Sequence, residues 1–456
     1  MYFRLWRITS QQNRMSSTSN LGGFTTRIRG VIGAWGKGEA QSPAAEGSFD
    51  ELALELFGLQ FEHNPLYREF CVARGVRPGS VAQWTSIPAV PTSAFKEQEL
   101  SCLRPEGRTA MFCSSGTTGQ EPSRHFHTGA SLALYEASAL TWFGAHFSMP
   151  CAEVASAPLT ASLSALDGER VPQAGEGVNG IHAPAFRGAG ASARRMLILT
   201  PPPEQAPHSS LVHMFKTLRR KLGSSDSVYV GKAAKSVPAS PKSLDERKSL
   251  GSRGRSPSQA RCEDGGWALD TEATRECLTD ASAVNEPLLV LGTAFSLVHL
   301  LDFLAERGLR FALPPGSSAM ETGGYKGRSR TMPKAALHTL VSQRLGIPAD
   351  HIVCEYGMCE LSSQAYDCAI PARDEAPPGP RRFRFPPWAR VQIISPETGA
   401  EVAEGETGLI RIFDLANVWS VMAIQTEDLG VREGEGFTLL GRAASAEPRG
   451  CSLMAS

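Results

Sequence analysis

The sequence has no surplus of charge, because 46 lysines and arginines balance 46 aspartates and glutamates. It therefore gives no reason to expect nucleic acid or a membrane surface as the main partner. It also lacks any uninterrupted apolar run that approaches the roughly 20 residues a membrane-spanning helix needs. We predict a protein without a membrane span.

The ten cysteines lack the repeating spacing of a disulfide-rich scaffold, and several lie in apolar runs. This usage favours a reducing compartment, so we expect a cytoplasmic protein. Cys354, Cys359 and Cys368 lie near one another, but their spacings of five and nine residues lack the short cysteine pair typical of zinc sites. A zinc site made by these three cysteines is therefore disfavoured.

The first 38 residues contain basic side chains and no acidic ones, as an organelle transit peptide does. The favoured interpretation is a dispensable extension, with Met15 as a second candidate start. We predict that residues 1–47 form a disordered N-terminal extension and that order begins at Ser48. There "SFDE" pairs Ser48 with Glu51 in a capping box ahead of an apolar helical face.

Another stretch, residues 233–265, is rich in Ser, Lys, Arg, Gly and Pro and has almost no large apolar residues. It cannot bury enough surface to offset the ordering cost of about 1 to 2 kcal/mol per residue. We predict a disordered surface insertion. Its composition also suits a phosphorylation target or an RNA contact, but solvated filler is the favoured interpretation.

Short apolar runs alternate with helical patterns along the rest of the chain. "RMLILT" and "PLLVLG" are typical of buried strands, and "SLVHLLDFLAERG" predicts a helix that ends at Gly308. Further helices are predicted from Leu66 to near Gly75 and from near Ser131. This alternation predicts an α/β fold with mainly parallel strands. After Arg390 the pattern changes to strands around Pro/Gly turns, which predicts a small antiparallel module.

The stretch "MFCSSGTTGQEPSRHFH" places small hydroxyl residues and glycines between a strand-like run and a helix. Backbone amides and hydroxyls of such a loop can converge on one anion, and phosphate is the usual ligand. The loop lacks the lysine of the common P-loop. On composition alone, a flexible polar turn is the more common explanation of such a stretch.

Three further segments place polar or glycine residues after strand-like runs, where α/β proteins bind ligands. In "METGGYKGRSR" paired glycines allow close approach to a flat ligand, although a glycine turn with solvated basic residues is the favoured interpretation of this segment alone. In "IVCEYGMCELSSQAYD" an aromatic side chain can stack on a base and Glu360 can hold Mg²⁺. In "TEDLG" a carboxylate at a turn can grip two ribose hydroxyls.

In this order, "SSGTTG", "EYGMCE", "TEDLG" and "GR" resemble the adenylate-forming enzymes. More narrowly, "PTSAFKE", "SSGTTGQEPSRHFH", "METGGYKGRSR", "EYGMCELSSQ" and "RGCSL" resemble the acyl-protein synthetases, whose founding member serves the bacterial bioluminescence fatty acid reductase. The resemblance runs from about Ser48 to Cys451. It implies one adenylate-forming domain over residues 48–445, with parallel-rich sheets flanked by helices, and a C-terminal tail over 446–456.

The resemblance also implies a role for each matching residue. ATP and Mg²⁺ are the implied cofactors, with Glu360 as the metal ligand and Asp428 on the ribose hydroxyls. Tyr356 would stack on the adenine, and Arg442 would lie at the hinge. The phosphate loop would consist of Ser114, Ser115, Gly116, Thr117, Thr118 and Gly119, and the adenine shelf of Gly323 and Gly324.

Typical adenylate-forming enzymes continue for about a hundred residues beyond the hinge into a mobile lid that brings in a lysine. Here fourteen residues follow Arg442, so we expect no lid, a trait shared with acyl-protein synthetases. Lys326, Arg328 and Arg124 are the candidates to replace the lysine.

The resemblance implies that Cys451 takes the acyl group as a thioester, although spacing alone favours an incidental tail cysteine. Cys113 is the second candidate nucleophile.

We thus expect ATP-dependent activation of a carboxylic acid, in particular a fatty acid, with transfer through Cys451 to an acyl-CoA reductase-like partner. One alternative is release of the acyl group to coenzyme A. The other, from a different class, is a non-catalytic nucleotide-binding subunit of a biosynthetic complex. His125, His127 and His208 are candidates for contacts to phosphate or to the acyl pocket, or for buried structural histidines.

Overall fold

The computed structural model describes residues 20–36, 48–114, 121–147, 193–233, 266–323, 332–371, 380–443 and 454–455. Within these ranges the α-helices are α1 (Leu21–Gly36), α2 (Phe49–His63), α3 (Pro65–Ala73), α4 (Ala94–Glu97), α5 (Gly129–His146), α6 (Ser210–Leu222), α7 (Thr271–Ala283), α8 (Ala294–Glu306) and α9 (Lys334–Leu345).

The strands of the same ranges form four sheets. They are β1 (Val90–Pro91), β2 (Ala110–Cys113), β3 (Arg124–His127), β4 (Arg195–Ile198), β5 (Val228–Tyr229), β6 (Gly231–Ala233), β7 (Gly266–Leu269), β8 (Leu288–Thr293), β9 (Ser318–Thr322), β10 (Ile352–Tyr356), β11 (Ala365–Tyr366), β12 (Ala389–Ile394), β13 (Thr407–Asp414), β14 (Ala423–Glu433), β15 (Gly436–Arg442) and β16 (Met454–Ala455).

The largest sheet has the strand order β11-β10-β9-β8-β4-β5. All its neighbours are parallel except β11, which runs antiparallel to β10. Its strands alternate along the chain with helices, and β4 and β8 are buried along their whole length. This arrangement confirms the α/β class and the two strands predicted from "RMLILT" and "PLLVLG".

Successive residues of the parallel strands enter hydrophobic clusters on opposite faces of the sheet. In β8, Leu289 and Leu291 join the cluster that contains buried residues of α1, α2, α5 and α6. Leu288 and Val290 join a second cluster with residues of α7, α8 and α9. Helices on both faces explain why the strands are continuous apolar runs rather than alternating ones.

The strands predicted after Arg390 are present and antiparallel, in the order β12-β13-β14-β15. They do not form a separate module, because β1 from the N-terminal part pairs with β14 in parallel. Gln60 of α2 binds the same region, donating to the carbonyls of Asn417 (2.8 Å) and Val418 (3.0 Å). The sheet is therefore joined to α2 through buried hydrogen bonds from a side chain to the backbone.

The predicted helix signals are mostly confirmed. Ser48 and Glu51 exchange both hydrogen bonds of a capping box at the start of α2. Thr128 caps α5, so this helix begins two residues before the predicted Ser131. Beyond the end of α8, Gly308 has a φ of +62°, a left-handed conformation that glycine adopts without steric cost.

The prediction that residues 1–47 form a disordered extension is wrong for α1. This helix packs on α5, and the rings of Trp35 and Trp142 lie 5.1 Å apart. Phe24, Ile28 and Ile32 are fully buried on one helical face. Burial of this stripe offsets the low helix propensity of the glycines in the segment.

Most of the predicted insertion lies outside the described residues. Ala233, its first predicted residue, ends β6, and residues 234–265 are not described. β6 pairs antiparallel with β7, so the backbone segments on the two sides of this stretch are hydrogen-bonded neighbours.

Among the described helices, none combines the length and apolar character needed to cross a lipid bilayer.

We expect Phe24→Ala to lower the free energy of unfolding by about 3 to 5 kcal/mol, because the ring is fully buried between α1 and the core. Chemical denaturation of the full chain measures this change. Thr26→Ala, at an exposed position of the same helix, is the control and should shift stability by less than about 0.5 kcal/mol. Equal stability of Phe24→Ala and the unmodified chain would contradict the packing of α1.

Candidate functional site

The Ser/Thr/Gly loop connects the two strands of a hairpin, β2 and β3. Beyond the last strand pair, the Ser114 amide donates to the Ser123 carbonyl (3.1 Å) and the Ser123 amide donates to Ser114 Oγ (2.9 Å). The loop thus joins two strands, and α5 follows only after β3, which corrects the predicted strand-to-helix connection. Of the predicted phosphate loop, residues 115–119 lie outside the described residues.

The base of this hairpin contacts Glu360, the predicted magnesium ligand. Ser123 Oγ donates to Glu360 Oε1 at 2.7 Å, and the Cys359 thiol donates to Oε2 at 3.2 Å. The Asn417 amide donates to the Glu360 carbonyl at 2.8 Å. The carboxylate is only 1% exposed. It is therefore held in a buried position beside Ser123, at the base of the β2–β3 hairpin.

His125 and His127, beside the loop, are buried, and His208 is half-buried. His125 Nδ1 donates to the Cys359 carbonyl at 2.7 Å and so positions the turn that carries Glu360. Burial lowers the pKa of His125, although the Cys359 carbonyl and the Glu360 charge oppose this shift. Burial likewise holds the pKa of His127 well below its ordinary value. His208 Nδ1 donates to the Met111 carbonyl at 3.1 Å.

Of the three candidate cations, Arg124 lies within the described residues and the other two do not. Arg124 lies on β3 at the base of the loop, and its Nη1 is 3.3 Å from Glu99 Oε1. Glu99 also pairs with Arg108 at 2.7 Å, so one carboxylate holds two guanidinium groups. Lys326 and Arg328 lie outside the described residues. Arg124 is thus the one of the three whose position the described part of the chain defines.

Tyr356, Asp428 and Arg442 come together although they are far apart in the sequence. The Tyr356 hydroxyl donates to Asp428 Oδ2 at 2.9 Å, and Arg442 Nε is 3.3 Å from Asp428 Oδ1. Asp428 and Arg442 are register partners on β14 and β15. A carboxylate oxygen has two lone-pair positions, so each oxygen can still accept a bond from a ribose hydroxyl.

The Tyr356 side chain lies among three phenylalanines. Its ring centroid is 5.9 Å from Phe383, 6.2 Å from Phe385 and 5.7 Å from Phe437. The tyrosine is 7% exposed. An adenine that stacks here therefore enters an apolar, aromatic setting.

The predicted adenine shelf follows β9, next to β10. Gly323 has a φ of +71°, which favours glycine, and Gly324 lies outside the described residues. The preceding Thr322 donates its hydroxyl to Glu355 of β10. At Gly357 an added Cβ would lie 2.3 Å from Glu355 Oε1, so this turn requires glycine for a close approach to the buried carboxylate.

Glu355 is a buried acid, and its pKa depends on burial and on one hydrogen bond from Thr322. Burial raises its pKa to about 7, and the hydrogen bond from Thr322 only partly opposes the shift. It lies one residue before Tyr356, at the end of the strand that carries the predicted nucleotide residues. Its protonation state therefore changes near neutral pH.

Neither candidate nucleophile is seen as a free thiol in the described part of the chain. Cys113 ends β2 and is disulfide-bonded, so it is not an available nucleophile here. Cys451 lies outside the described residues. The free cysteines of the described residues are Cys71, Cys102, Cys277, Cys354, Cys359 and Cys368. Burial raises the pKa of Cys102, Cys354 and Cys368, which disfavours a reactive thiolate at each.

Sequence reasoning missed three residues that build the site. Ser123 lies within the quoted loop motif, and its position three residues after Gln120 gave no sign that it would reach Glu360. Glu355 directly precedes Tyr356. An acid at the end of an apolar, strand-like run was the sequence signal that could have identified it. Asn417 lies far along the chain, where no motif marks it.

We expect stability to fall as pH rises from about 4.5 to about 7, because folded Glu355 binds its proton more tightly than the unfolded chain does. Glu355→Gln keeps an acceptor for Thr322 and removes the titration. Its stability relative to the unmodified chain should therefore increase by roughly 3 kcal/mol across this window. Denaturation curves at several pH values measure the difference. Glu397→Gln, in an exposed turn, is the control, and a pH-independent difference for Glu355→Gln would contradict the assignment.

Comparison with known proteins agrees with the motifs. Residues 266–456 match the family model described as "Acyl-protein synthetase, LuxE". The long-chain-fatty-acid–luciferin-component ligase of Aliivibrio fischeri is 22% identical over 196 residues, which are 41% of this chain and 49% of that protein. The match thus spans about half the length of that relative.

Solved structures show the same fold at low sequence identity. An open conformation of 2-hydroxyisobutyryl-CoA ligase with 2-HIB-AMP and CoA has a TM-score of 0.51 and 10% identity, over 88% of this chain and 76% of that one. The postadenylation state of that ligase with 2-HIB-AMP has a TM-score of 0.51 and 11% identity, over 88% and 68%. Residues 266–456 are therefore similar to the acyl-protein synthetase family model, and the chain shares the fold of these 2-hydroxyisobutyryl-CoA ligase structures, which agrees with the resemblance of its motifs.

Proposed function

We propose that this chain activates a fatty acid with ATP, forming an acyl adenylate, and then takes the acyl group onto Cys451 as a thioester. A reductase that accepts the acyl group is the proposed partner, and the cytoplasm is the proposed location. The family match and the name of the bacterial ligase relative support the acid and the reaction class.

The observation that carries the proposal is the hydrogen bond from Ser123 to Glu360. It fastens a buried carboxylate to the base of a loop whose composition suits a polyphosphate. At the end of the same strand, β10, Tyr356 binds Asp428, the proposed ribose ligand. Groups for the phosphates and for the nucleoside therefore follow one strand end, where ligands bind in α/β folds.

The proposed first step replaces a poor leaving group. A carboxylate oxygen of the fatty acid attacks the α-phosphorus of ATP, the bond from that phosphorus to the bridging oxygen breaks, and pyrophosphate leaves. Both reactants are anions, so positive charge must lie between them. Arg124 is the described candidate, and release of its guanidinium from the shared Glu99 would free it for the phosphates. One preorganised contact of this kind is typically worth a factor of about 10² to 10³ in rate.

The residues present fit a magnesium ion. Mg²⁺ prefers carboxylate oxygens, and a Glu360 oxygen that accepts one hydrogen bond from Ser123 or Cys359 keeps a second lone-pair position. When bound, the metal would neutralise phosphate charge. Glu360 would hold it, and Ser123 and Asn417 would keep Glu360 in place.

The proposed second step moves the acyl group to sulfur. The Cys451 thiolate attacks the acyl carbon, the bond from that carbon to the AMP phosphate oxygen breaks, and AMP leaves. The thiol proton is lost to solvent or to a nearby base before the attack. Arg449, two residues away in the sequence, would favour the thiolate.

We expect Glu360→Ala and Asp428→Ala each to reduce acid-dependent exchange of labelled pyrophosphate into ATP by a factor of about 10² or more. Melting curves check that both variants fold. Glu397→Ala, an exposed carboxylate in the β12–β13 turn, should exchange normally. Normal exchange in Glu360→Ala and Asp428→Ala would refute these nucleotide contacts, and no exchange in the unmodified chain would favour a non-catalytic binding subunit.

We expect labelled fatty acid to remain on the protein after denaturation, in a hydroxylamine-sensitive bond that Cys451→Ser abolishes. Cys368→Ser, which removes a buried thiol, is the control and should retain the label. Pyrophosphate exchange should persist in Cys451→Ser, because adenylation precedes the thiol step. Label released only when coenzyme A is added would instead identify an acyl-CoA ligase.

A further inference from the structure

Three ligand-type side chains from separate elements meet in the sheet, away from the Ser123–Glu360 contact. Glu321 of β9 and Cys354 of β10 are direct register partners on neighbouring parallel strands. Their side chains therefore leave the sheet on the same face. His338 of α9 covers this face, and its Nε2 lies 2.9 Å from Glu321 Oε2. All three residues are largely buried.

The spacing of the three ligand atoms is that of a metal site. Cys354 Sγ lies 3.6 Å from Glu321 Oε2 and 3.6 Å from His338 Nε2. Tetrahedral zinc with one sulfur, one nitrogen and one oxygen ligand at usual bond lengths separates these atoms by about 3.3 to 3.6 Å. Two of the three separations already match. The third is shorter because a hydrogen bond joins His338 to Glu321, and a metal ion would replace its proton.

We propose that Glu321, His338 and Cys354 bind one zinc ion, with a water molecule completing the tetrahedron. A thiolate and a carboxylate neutralise the two positive charges of zinc, so the filled site adds no net charge to the protein interior. One thiolate, one imidazole and one carboxylate are ligands that zinc accepts and that magnesium and calcium do not select.

The charged neighbours of Cys354 are paired with one another. Arg381 Nη2 lies 4.0 Å from Cys354 Sγ. Asp367 does not compete for the metal, because its carboxylate already accepts from Lys334 (2.7 Å), from Arg381 (2.8 and 2.9 Å) and from the Cys354 amide (2.8 Å). The two cations Lys334 and Arg381 thus balance the two carboxylates of Asp367 and Glu321 around the sulfur.

The site would have a structural consequence for the strand ends. Gly323 follows Glu321 by two residues, and Tyr356 follows Cys354 by two. A metal that joins β9, β10 and α9 therefore fixes the strand ends that carry the proposed adenine contacts. The zinc proposal stands on its own geometry and does not depend on the proposed acyl transfer.

The test uses the full chain, stripped with a chelator, loaded with zinc or cobalt and desalted. We expect about one zinc per chain by atomic emission and a higher melting temperature than in the stripped protein. The cobalt form should show a thiolate-to-metal charge-transfer band and tetrahedral d–d bands. Cys354→Ser should lose the charge-transfer band, and His338→Gln should weaken zinc binding more than about tenfold.

Cys368→Ser is the matched control, because Cys368 is a buried neighbouring thiol that donates to the Ile352 carbonyl and lies outside the triad. It should bind zinc and cobalt as the unmodified chain does. Failure of the unmodified chain to retain either metal would overturn the proposal. An unchanged cobalt spectrum in Cys354→Ser would also overturn it, since the metal would then lie at another thiol. If His338→Gln does not fold, the metal retained by the unmodified chain and the cobalt spectrum of Cys354→Ser still test the proposal.

Discussion

The hydrogen bond from Ser123 to Glu360 is the contact on which the candidate site depends. It links a hairpin that precedes α5 to the turn after β10, two segments separated by 237 positions in the chain. Asn417 and His125 hold the backbone of the same turn through the carbonyls of Glu360 and Cys359. A buried carboxylate costs free energy unless donors satisfy it, so these contacts stabilise the fold and fix the position of the charge together.

Buried charge also organises the neighbouring strand ends. Along β10, Cys354 and Glu355 point to opposite faces of the sheet, as successive strand residues do. Glu355 meets Thr322 on one face, and Cys354 meets Glu321 and His338 on the other. The helices on both faces exclude water from these groups, which explains why the pKa of Glu355 rises to about 7. The same burial that makes the fold stable thus makes this strand end chemically unusual.

The elements that could be predicted from the sequence are those with a local pattern, such as a helix cap or a continuous apolar run. The Ser48 capping box and the apolar strands β4 and β8 are local signals, and the structure has all three. Helix α1 was missed because basic residues without acidic ones suggested an extension, although Leu21, Phe24, Ile28 and Ile32 repeat at helical intervals. The contacts of Ser123 with Glu360 and of Cys354 with His338 could not be predicted, since they depend on how distant segments pack.

The central claim is that the hairpin loop and Glu360 together bind magnesium ATP. Isothermal titration calorimetry of the full chain with ATP and magnesium tests it directly, with Ser123→Ala as the variant that removes one hydrogen bond to the carboxylate. We predict a saturable heat near one ATP per chain, weakened about tenfold or more in Ser123→Ala, because a hydrogen bond to a charged group contributes roughly 1.5 to 3 kcal/mol. No heat of binding in the unmodified chain, or equal affinity in Ser123→Ala, would contradict the account.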